Sequence, residues 1–137
     1  ASYVFNLGLD LVIMPLDVTH KALTTPKRID KFSKLNTKCG TFVAEMTAFF
    51  ERFDKDKYGT KGAPLHDPCV IAYLLNPEIF SGRRINVEIE TDSELTLGMT
   101  VADWWGVTNK EPNALFIGNL NSEKFFEMLT SRISKLP

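Results

Sequence analysis

The sequence predicts an α/β fold in which helices flank an open mixed sheet that also carries an antiparallel hairpin. Residues 2–7 have the pattern of a helix tail that Gly8 ends, and a nearly continuous apolar run follows over 9–18. Such a run is typical of a strand buried on both faces of a parallel or mixed sheet. Later, residues 85–89 and 95–99 alternate between apolar and polar side chains, which predicts two paired strands.

The apolar run over 9–18 is interrupted by a proline and followed by polar residues. Pro15 cannot donate a hydrogen bond to a neighbouring strand, so we expect the strand to be irregular or to end there. Asp17, Thr19 and His20 then fall at or just beyond its carboxyl end. Open α/β sheets bind ligands at that edge, so this segment is a candidate for part of a site.

Two helices are predicted to follow. Thr25 and Pro26 form a typical helix start, and apolar residues recur at helical spacing until the pattern ends near Asn36. Gly40 and Thr41 begin a second helical pattern. Its apolar stripe consists of Phe42, Met46, Phe49, Phe50 and Phe53. Such a stripe is more typical of a core than of a cofactor site, and its strong apolarity predicts that partner helices or another subunit cover it.

The last third of the chain predicts the end of the hairpin, a short strand and a helix. Asp103-Trp104-Trp105-Gly106 ends the hairpin. Adjacent side chains of a strand point to opposite faces, so one tryptophan is expected in the core and the other facing a cleft or partner. Residues 113–118 predict the last strand. Ser122 is expected to cap a final helix with one apolar face.

The composition indicates one globular domain over residues 1–137, with 44% hydrophobic residues and a net charge of −1. This charge balance gives no reason to expect nucleic acid or an anionic membrane as a partner. No apolar run approaches the length of a membrane span. The two cysteines, Cys39 and Cys69, make no disulfide framework, and Cys69 lies in an apolar helical pattern. We therefore expect a reduced, cytoplasmic protein in which Cys69 is a small buried residue.

His66 and Asp67 lie at a predicted junction between a loop and a helix, followed at once by Pro68. Asp67 is expected to be the N-cap, with Pro68 at the first helical position. A carboxylate has two oxygens, so Asp67 is able to cap the helix, to bind a cation, or to do both. Two interpretations of the polar segment 51–61 are possible. It is a solvated loop, or it is a substrate-covering segment that forms a loop or a helix end. The spacing leaves these alternatives open.

These motifs together resemble the C-terminal half of an inosine/uridine-preferring nucleoside hydrolase. The resemblance is carried, in order along the chain, by Pro15-Leu16-Asp17-Val18-Thr19-His20, Tyr58-Gly59, Gly62-Ala63-Pro64-Leu65-His66-Asp67-Pro68 and Asp103-Trp104-Trp105-Gly106. The resemblance implies the C-terminal part of an open mixed-sheet, Rossmann-like fold. It also implies a calcium-dependent enzyme that splits the N-glycosidic bond of a ribonucleoside into free base and ribose.

The resemblance assigns roles to four residues. Asp67 matches the family's C-terminal calcium ligand. His66 matches the catalytic histidine beside the base, which is associated with activation of the leaving group. Tyr58 and Asp54 match substrate-binding positions on the base side, in a loop that varies between subgroups.

The sequence also departs from the family pattern. The family's N-terminal motif, of the form Asp-x-Asp-Pro-Gly-x-Asp-Asp, supplies the other calcium carboxylates and the general base, and it does not occur here. We therefore expect a C-terminal portion that is inactive alone, binds calcium only with the N-terminal half, and forms a homo-oligomer or pairs with that half. The alternatives are a non-catalytic interaction or assembly module that keeps the fold, and a compact small-molecule binder that uses His66, Tyr58 and a tryptophan.

Overall fold

The computed structural model describes residues 1–59 and 61–137, and over 53–58 it describes the backbone alone. Contacts divide the chain into two compact units. Unit 1 comprises Ala1–Pro15 and Ser81–Gly118, and unit 2 comprises Leu16–Phe80 and Asn119–Pro137. The prediction of a single domain over 1–137 stays a prediction.

Helices and strands are interspersed along the chain, with four strands in succession over residues 80–120, and this mixture confirms the predicted α/β class. The helices are α1 (Ser2–Phe5), α2 (Leu16–Thr19), α3 (Pro26–Ser33), α4 (Lys38–Tyr58), α5 (Asp67–Leu75) and α6 (Ser122–Ile133), with a 3₁₀ turn at Pro77–Ile79. The strands are β1 (Leu11–Ile13), β2 (Leu23–Thr24), β3 (Ala63–Pro64), β4 (Phe80–Ile85), β5 (Val87–Ile89), β6 (Thr100–Ala102) and β7 (Ala114–Leu120). Within the described residues, no helix combines the length and the apolarity that a membrane span needs.

Unit 1 is built on a sheet with the strand order β1-β7-β4. β1 and β7 run parallel, with Leu11 opposite Ala114. The buried core of the unit contains Val87, Ala114 and Phe116. The Trp104 ring meets the Phe116 ring edge-on, with 6.3 Å between centroids, whereas the Trp105 side chain is exposed. The expectation that one of the two tryptophans belongs to the core is therefore confirmed.

The first strand is shorter and more exposed than its sequence predicts. β1 covers only Leu11–Ile13, α2 begins directly after Pro15, and Val12 is exposed. The strand lies at the edge of the order β1-β7-β4, so only β7 pairs with it among the described strands. The strand ends before Pro15, as predicted, but the prediction that it is buried on both faces is wrong, because a continuous apolar run does not distinguish an edge strand from a central one.

The hairpin exists, but its second strand begins later than predicted. β5 pairs antiparallel with β6, and Glu88 lies opposite Val101. The predicted strand over 95–99 is a turn region with exposed side chains. The Glu90 carboxylate accepts backbone N–H groups from the turn, and Gly98 adopts a φ of +82° that few other residues tolerate. Backbone hydrogen bonds join Glu90 to Gly98 and Met99 across this reversal, and the second strand begins at Thr100.

In unit 2, the helices α3, α4 and α6 pack around aromatic side chains. Phe32 of α3 is fully buried, and its ring lies 6.4 Å from that of Phe126 in α6. The side chain that caps α6 is Asn121, whose carbonyl oxygen accepts the N–H of Lys124. The prediction that Ser122 is the cap is wrong by one residue, because both residue types are good caps and they are adjacent.

The aromatic stripe of α4 faces outward. Phe42, Met46, Phe49 and Phe50 are exposed, while Ala44 and Thr47 lie on the buried face of the helix. The interpretation of the stripe as core is wrong for these residues, because the small side chains on the opposite face pack closely enough to form the interior. The side chain of Phe53 lies outside the described residues. That a partner or another subunit covers the stripe stays a prediction.

Arg28 of α3 connects β2, α3 and α6. Its guanidinium lies 4.0 Å from the centroid of the Phe126 ring. It donates hydrogen bonds to the Leu23 carbonyl oxygen at 2.7 Å, to the Ser122 hydroxyl at 2.5 Å and to the Glu123 carboxylate at 2.6 Å. Only 13% of this side chain is exposed, so these bonds are partly shielded from water.

Replacing Arg28 with lysine is expected to lower the free energy of unfolding by about 1–3 kcal/mol. A lysine ammonium keeps the charge but cannot reach all these acceptors in one planar arrangement. Urea unfolding of the two proteins measures the difference. Arg132→Lys, in the exposed last turn of α6, is the matched control, and an equal loss in both variants would contradict the connecting role of Arg28.

The carboxylate of Asp103 organises the turn after β6. It accepts hydrogen bonds from the Thr108 hydroxyl and from the backbone N–H groups of Thr108 and Val107. The hydrogen bond from the Thr108 side chain is the largest cause that holds the pKa of Asp103 below its usual range. Because these hydrogen bonds favour the ionised carboxylate, the turn is most stable when Asp103 is charged.

Asp103→Asn is expected to lower the midpoint of thermal unfolding at neutral pH. A lowered folded pKa stabilises the protein above the ordinary aspartate pKa of about 3.9, and this stabilisation is lost as the pH falls through the folded value. The difference between the variants should therefore shrink below about pH 4. Asp92→Asn is the control, since no described residue donates a hydrogen bond to that carboxylate. A difference that stays constant with pH would refute this explanation.

Candidate functional site

The candidate site lies in unit 2, after a two-stranded ribbon that leads into α5. β2 and β3 pair antiparallel, with Thr24 opposite Ala63. The buried Thr24 hydroxyl donates to the Ala63 carbonyl oxygen at 2.9 Å. A Cβ atom on Gly62 would lie 2.7 Å from the Thr24 carbonyl oxygen, so only glycine allows the strands to approach this closely. The ribbon therefore fixes the course of the chain just before His66.

Helix α5 begins at Asp67, and His66 occupies the N-cap position. The N–H of Leu65 donates to the Ala22 carbonyl oxygen at 3.0 Å, and the N–H of Cys69 donates to the His66 carbonyl oxygen at 3.1 Å. His66 makes no side-chain cap hydrogen bond. The prediction that Asp67 is the N-cap is wrong by one residue, because Asp67 already has a helical backbone. Its carboxylate is therefore not occupied by capping.

The His66 imidazole is held by a residue from α2. Its Nδ1 atom lies 2.9 Å from the Thr19 hydroxyl oxygen, and Thr19 is only 3% exposed. The ring of His20 lies beside it, with 5.6 Å between the two centroids and 52° between the planes. The structure thus brings together the segment after β1 and the start of α5, which are 47 residues apart in sequence.

Sequence reasoning placed Thr19 and His20 at a ligand-binding edge but did not pair them with His66. Nothing in their local pattern identifies that partner. The sequence offers one hint of this pairing. Each of the two polar segments directly follows an apolar or turn-forming stretch, at the boundary between two secondary-structure elements. Only the antiparallel ribbon of β2 and β3 reveals that the two boundaries are neighbours.

Asp67 provides one free carboxylate. Its side chain is exposed, and no described residue donates a hydrogen bond to it. Calcium takes six to eight hard oxygen ligands, so the carboxylate is of the right type but supplies only a fraction of the required number. In the part of the chain that the structure describes, no three histidine, cysteine or acidic residues cluster in a way that would hold a metal ion. These residues alone therefore do not make a complete calcium site.

Cys69 follows His66 in the first turn of α5, but its thiol has low reactivity. It is fully buried, and its thiol donates to the Leu65 carbonyl oxygen at 3.0 Å. Burial raises the pKa of the Cys69 thiol to about 11, so little thiolate is present at neutral pH. The prediction that Cys69 is a small buried residue is confirmed.

An apolar cleft of about 460 Å³ lies between α5 and α6. Its lining includes Pro68, Ile71 and Leu75 of α5, together with Met128 and Leu129 of α6. Asp67 also contributes to the lining, so the free carboxylate and the apolar surface are adjacent. Helix α5 thus carries a polar start and an exposed apolar side.

The two remaining predicted site residues, Tyr58 and Asp54, have side chains that lie outside the described residues. The backbone of α4 is helical through Tyr58. Of the alternatives for the polar segment 51–61, the helix end therefore fits the backbone better than a loop. The substrate-binding roles of both residues stay predictions.

The family model described as inosine-uridine preferring nucleoside hydrolase matches residues 1–127. The chain belongs to this family. The predicted resemblance to part of a nucleoside hydrolase is thereby confirmed.

Similar proteins include other members of the nucleoside hydrolase family. The chain is 43% identical over its whole length to an uncharacterised protein of Schizosaccharomyces pombe, of which it covers 44%. It is 42% identical over 98% of its length to the pyrimidine-specific ribonucleoside hydrolase RihA of Klebsiella pneumoniae, of which it covers 43%. The chain therefore spans less than half the length of these relatives.

A solved nucleoside hydrolase structure agrees with the fold. The purine-preferring ribonucleoside hydrolase from Gardnerella vaginalis matches 99% of this chain with a TM-score of 0.85 and 28% identity, and the match covers 43% of that protein. The predicted fold class, a part of the mixed-sheet nucleoside hydrolase fold, is confirmed by this match. The roles predicted for His66 and Asp67 in this nucleoside hydrolase chain remain predictions.

Gly62→Ala is expected to destabilise unit 2 by about 1–3 kcal/mol, because the added methyl group overlaps the backbone of Thr24. The NMR signals of the His66 ring should shift in the same variant, since the ribbon positions the start of α5. Thermal unfolding and histidine-selective NMR measure the two effects. Lys61→Ala, at the exposed neighbouring position, is the control. An unchanged His66 spectrum in Gly62→Ala would show that the ribbon does not position His66.

Proposed function

We propose that this chain is the part of a ribonucleoside hydrolase that carries the base-side histidine and one calcium-binding carboxylate. The reaction is hydrolysis of the N-glycosidic bond of a ribonucleoside to free base and ribose. The observation that supports it most strongly is the combination of family membership with His66 and Asp67 at the rigid start of α5. Side chains mounted on a helix are positioned more precisely than side chains on a loop.

The chemistry requires a group that neutralises the departing base. Cleavage of a glycosidic bond passes through an oxocarbenium-like state, and negative charge develops on the leaving group. The His66 ring has one nitrogen engaged by Thr19. The other nitrogen is the one that donates a proton or a hydrogen bond to the base. Tyr58 and Asp54 would contact the base from the end of α4.

Calcium is proposed as the cofactor, with Asp67 as one of its ligands. A bound divalent cation polarises a coordinated water and favours its ionised form. The remaining oxygen ligands, and the general base that takes the proton from water, would come from a segment with the Asp-rich family motif. The 137 residues do not contain that motif. We therefore propose that the chain is inactive alone and forms a homo-oligomer or pairs with such a segment, and that only the segment with the motif supplies the missing groups.

The preferred substrates are proposed to be pyrimidine ribonucleosides, and the role cytoplasmic nucleoside salvage. The relative named as pyrimidine-specific is 42% identical to this chain, whereas the structure named as purine-preferring is 28% identical. The presence of Asp54, Tyr58 and His66 points in the same direction. The two relatives match nearly the same part of this chain, so we propose that the base preference rests on side chains around the base and not on the scaffold.

A non-catalytic assembly module is the second candidate function. The specific observation in its favour is the exposed aromatic stripe of α4, with Phe42, Phe49 and Phe50 turned outward. Exposed apolar patches of this kind mark interaction surfaces. The two functions differ in one respect that is directly measurable, which is whether His66 and Asp67 are needed for turnover.

The test is ribose release from uridine, cytidine and inosine in the presence of calcium. The chain alone should release none. A chimera in which this chain replaces the aligned segment of Klebsiella RihA should release ribose from the pyrimidine nucleosides. His66→Ala in the chimera should lower kcat by about 10²–10⁴-fold, the usual contribution of general acid catalysis. Asp67→Ala should raise the calcium concentration required for activity.

Asp92→Asn in the same chimera is the matched control and should leave the rate unchanged. Turnover by the unmodified 137-residue chain would contradict the proposed incompleteness. An active chimera that tolerates both His66→Ala and Asp67→Ala would contradict their roles. An inactive chimera, combined with stable dimers of the chain that Phe49→Glu disrupts, would favour the assembly module.

A further inference from the structure

The Thr19 hydroxyl has a single hydrogen-bond partner among the described residues, the Nδ1 atom of His66 at 2.9 Å. Thr19 is 3% exposed, so solvent does not offer a ready alternative. A buried hydroxyl that fails to donate its proton carries a desolvation penalty. The hydroxyl must therefore donate to Nδ1, which accepts only through its unprotonated lone pair.

We infer that Thr19 is a positioning residue that holds the neutral His66 imidazole in the tautomer with its proton on Nε2. In a neutral imidazole one nitrogen carries the proton and the other accepts, and the bond that the accepting nitrogen makes selects the tautomer. With Nδ1 occupied by the Thr19 proton, Nε2 is the donor.

Backbone hydrogen bonds hold both partners of this pair in place. The N–H of Ala22 donates to the Thr19 carbonyl oxygen at 2.9 Å, which closes the end of α2. The carbonyl oxygen of Ala22 in turn accepts the N–H of Leu65 at 3.0 Å, one residue before His66. Thr19 and His66 are thus connected through a short path of main-chain bonds, so the side-chain bond does not depend on two freely moving loops.

The His20 ring restricts the remaining freedom of the His66 imidazole. Its centroid lies 5.6 Å from that of His66, and the planes are tilted by 52°. A half-turn of the His66 ring would exchange Nδ1 for a carbon at the Thr19 hydroxyl and lose the bond. Thr19 therefore sets the tautomer, and the packing of His20 against the ring helps to hold its orientation.

The significance of the tautomer rests on the proposed function. A neutral imidazole with its proton on Nε2 presents a donor to a leaving base without first binding a second proton. The opposite tautomer would present a lone pair to the base, which opposes the negative charge that develops there. Thr19 would thus act on the reaction through His66 and not by touching the substrate.

The experiment is nitrogen-15 NMR of the histidine rings in the 137-residue chain at alkaline pH, where imidazole is neutral. Protonated and unprotonated ring nitrogens resonate far apart, so the spectrum reports the tautomer directly. The expected spectrum shows a protonated Nε2 and an unprotonated Nδ1 for His66. Protonation at Nδ1 in the unmodified chain would overturn the inference without any variant.

Three threonine variants make the test specific. Thr19→Val keeps the shape of the side chain but removes the hydroxyl, and it should lower the ratio of the two tautomers by about three- to tenfold. Thr19→Ser restores a hydroxyl and should recover the original ratio. Thr47→Val removes another buried hydroxyl, one that donates to the Val43 carbonyl oxygen within α4, and should leave His66 unchanged. An unchanged ratio in Thr19→Val, or an equal change in Thr47→Val, would overturn the inference.

This measurement needs no substrate, no metal and no turnover. An inactive chimera with the expected tautomer would reject the proposed hydrolase while leaving the positioning role of Thr19 intact. An active chimera whose His66 has the opposite tautomer would support the proposed hydrolase and reject the positioning role of Thr19. The two proposals therefore fail separately.

Discussion

The close antiparallel pairing of β2 with β3 is the constraint on which the candidate site depends. Gly62 lets the backbone approach Thr24 so closely that any side chain would collide with it. The pairing sets the path of the chain into α5 and brings Leu65 within hydrogen-bonding distance of Ala22. The contact between Thr19 and His66 follows from that path. A ribbon of only two residue pairs thus brings together side chains from segments that are far apart in sequence.

His66 and Asp67 are adjacent but have different surroundings, and these surroundings suit the different roles that we propose for them. The imidazole is half-buried and has a fixed hydrogen-bond partner in Thr19, which suits a group whose orientation matters. The Asp67 carboxylate is exposed and has no donor among the described residues, which suits a group that contributes charge to a shared site. Asp67 lies inside the helix and not at its cap, so both of its oxygens are left available.

Much of the fold follows from local patterns, and most of the failures come from missing tertiary context. The starts of α5 and of the final helix were predicted to within one residue from Pro68, from polar residues and from apolar spacing. The exposure of Val12 in β1 and of the α4 stripe was not, because apolar periodicity shows that a face is apolar but not what covers it. His66 and Asp67 were predicted as site residues from their motif, and those roles stay predictions. The contact between Thr19 and His66 was not predicted, because the two residues lie 47 positions apart.

The burial of Cys69 has a practical consequence. Its thiol bonds to the carbonyl oxygen of Leu65, the residue before His66, and its pKa of about 11 leaves almost no reactive thiolate while the turn is closed. Alkylation of Cys69 must therefore wait for local opening of that turn, whereas the half-buried Cys39 reacts with less hindrance. Cys69 is therefore a built-in probe of local opening. The rate at which a thiol reagent labels it measures how often the start of α5 opens.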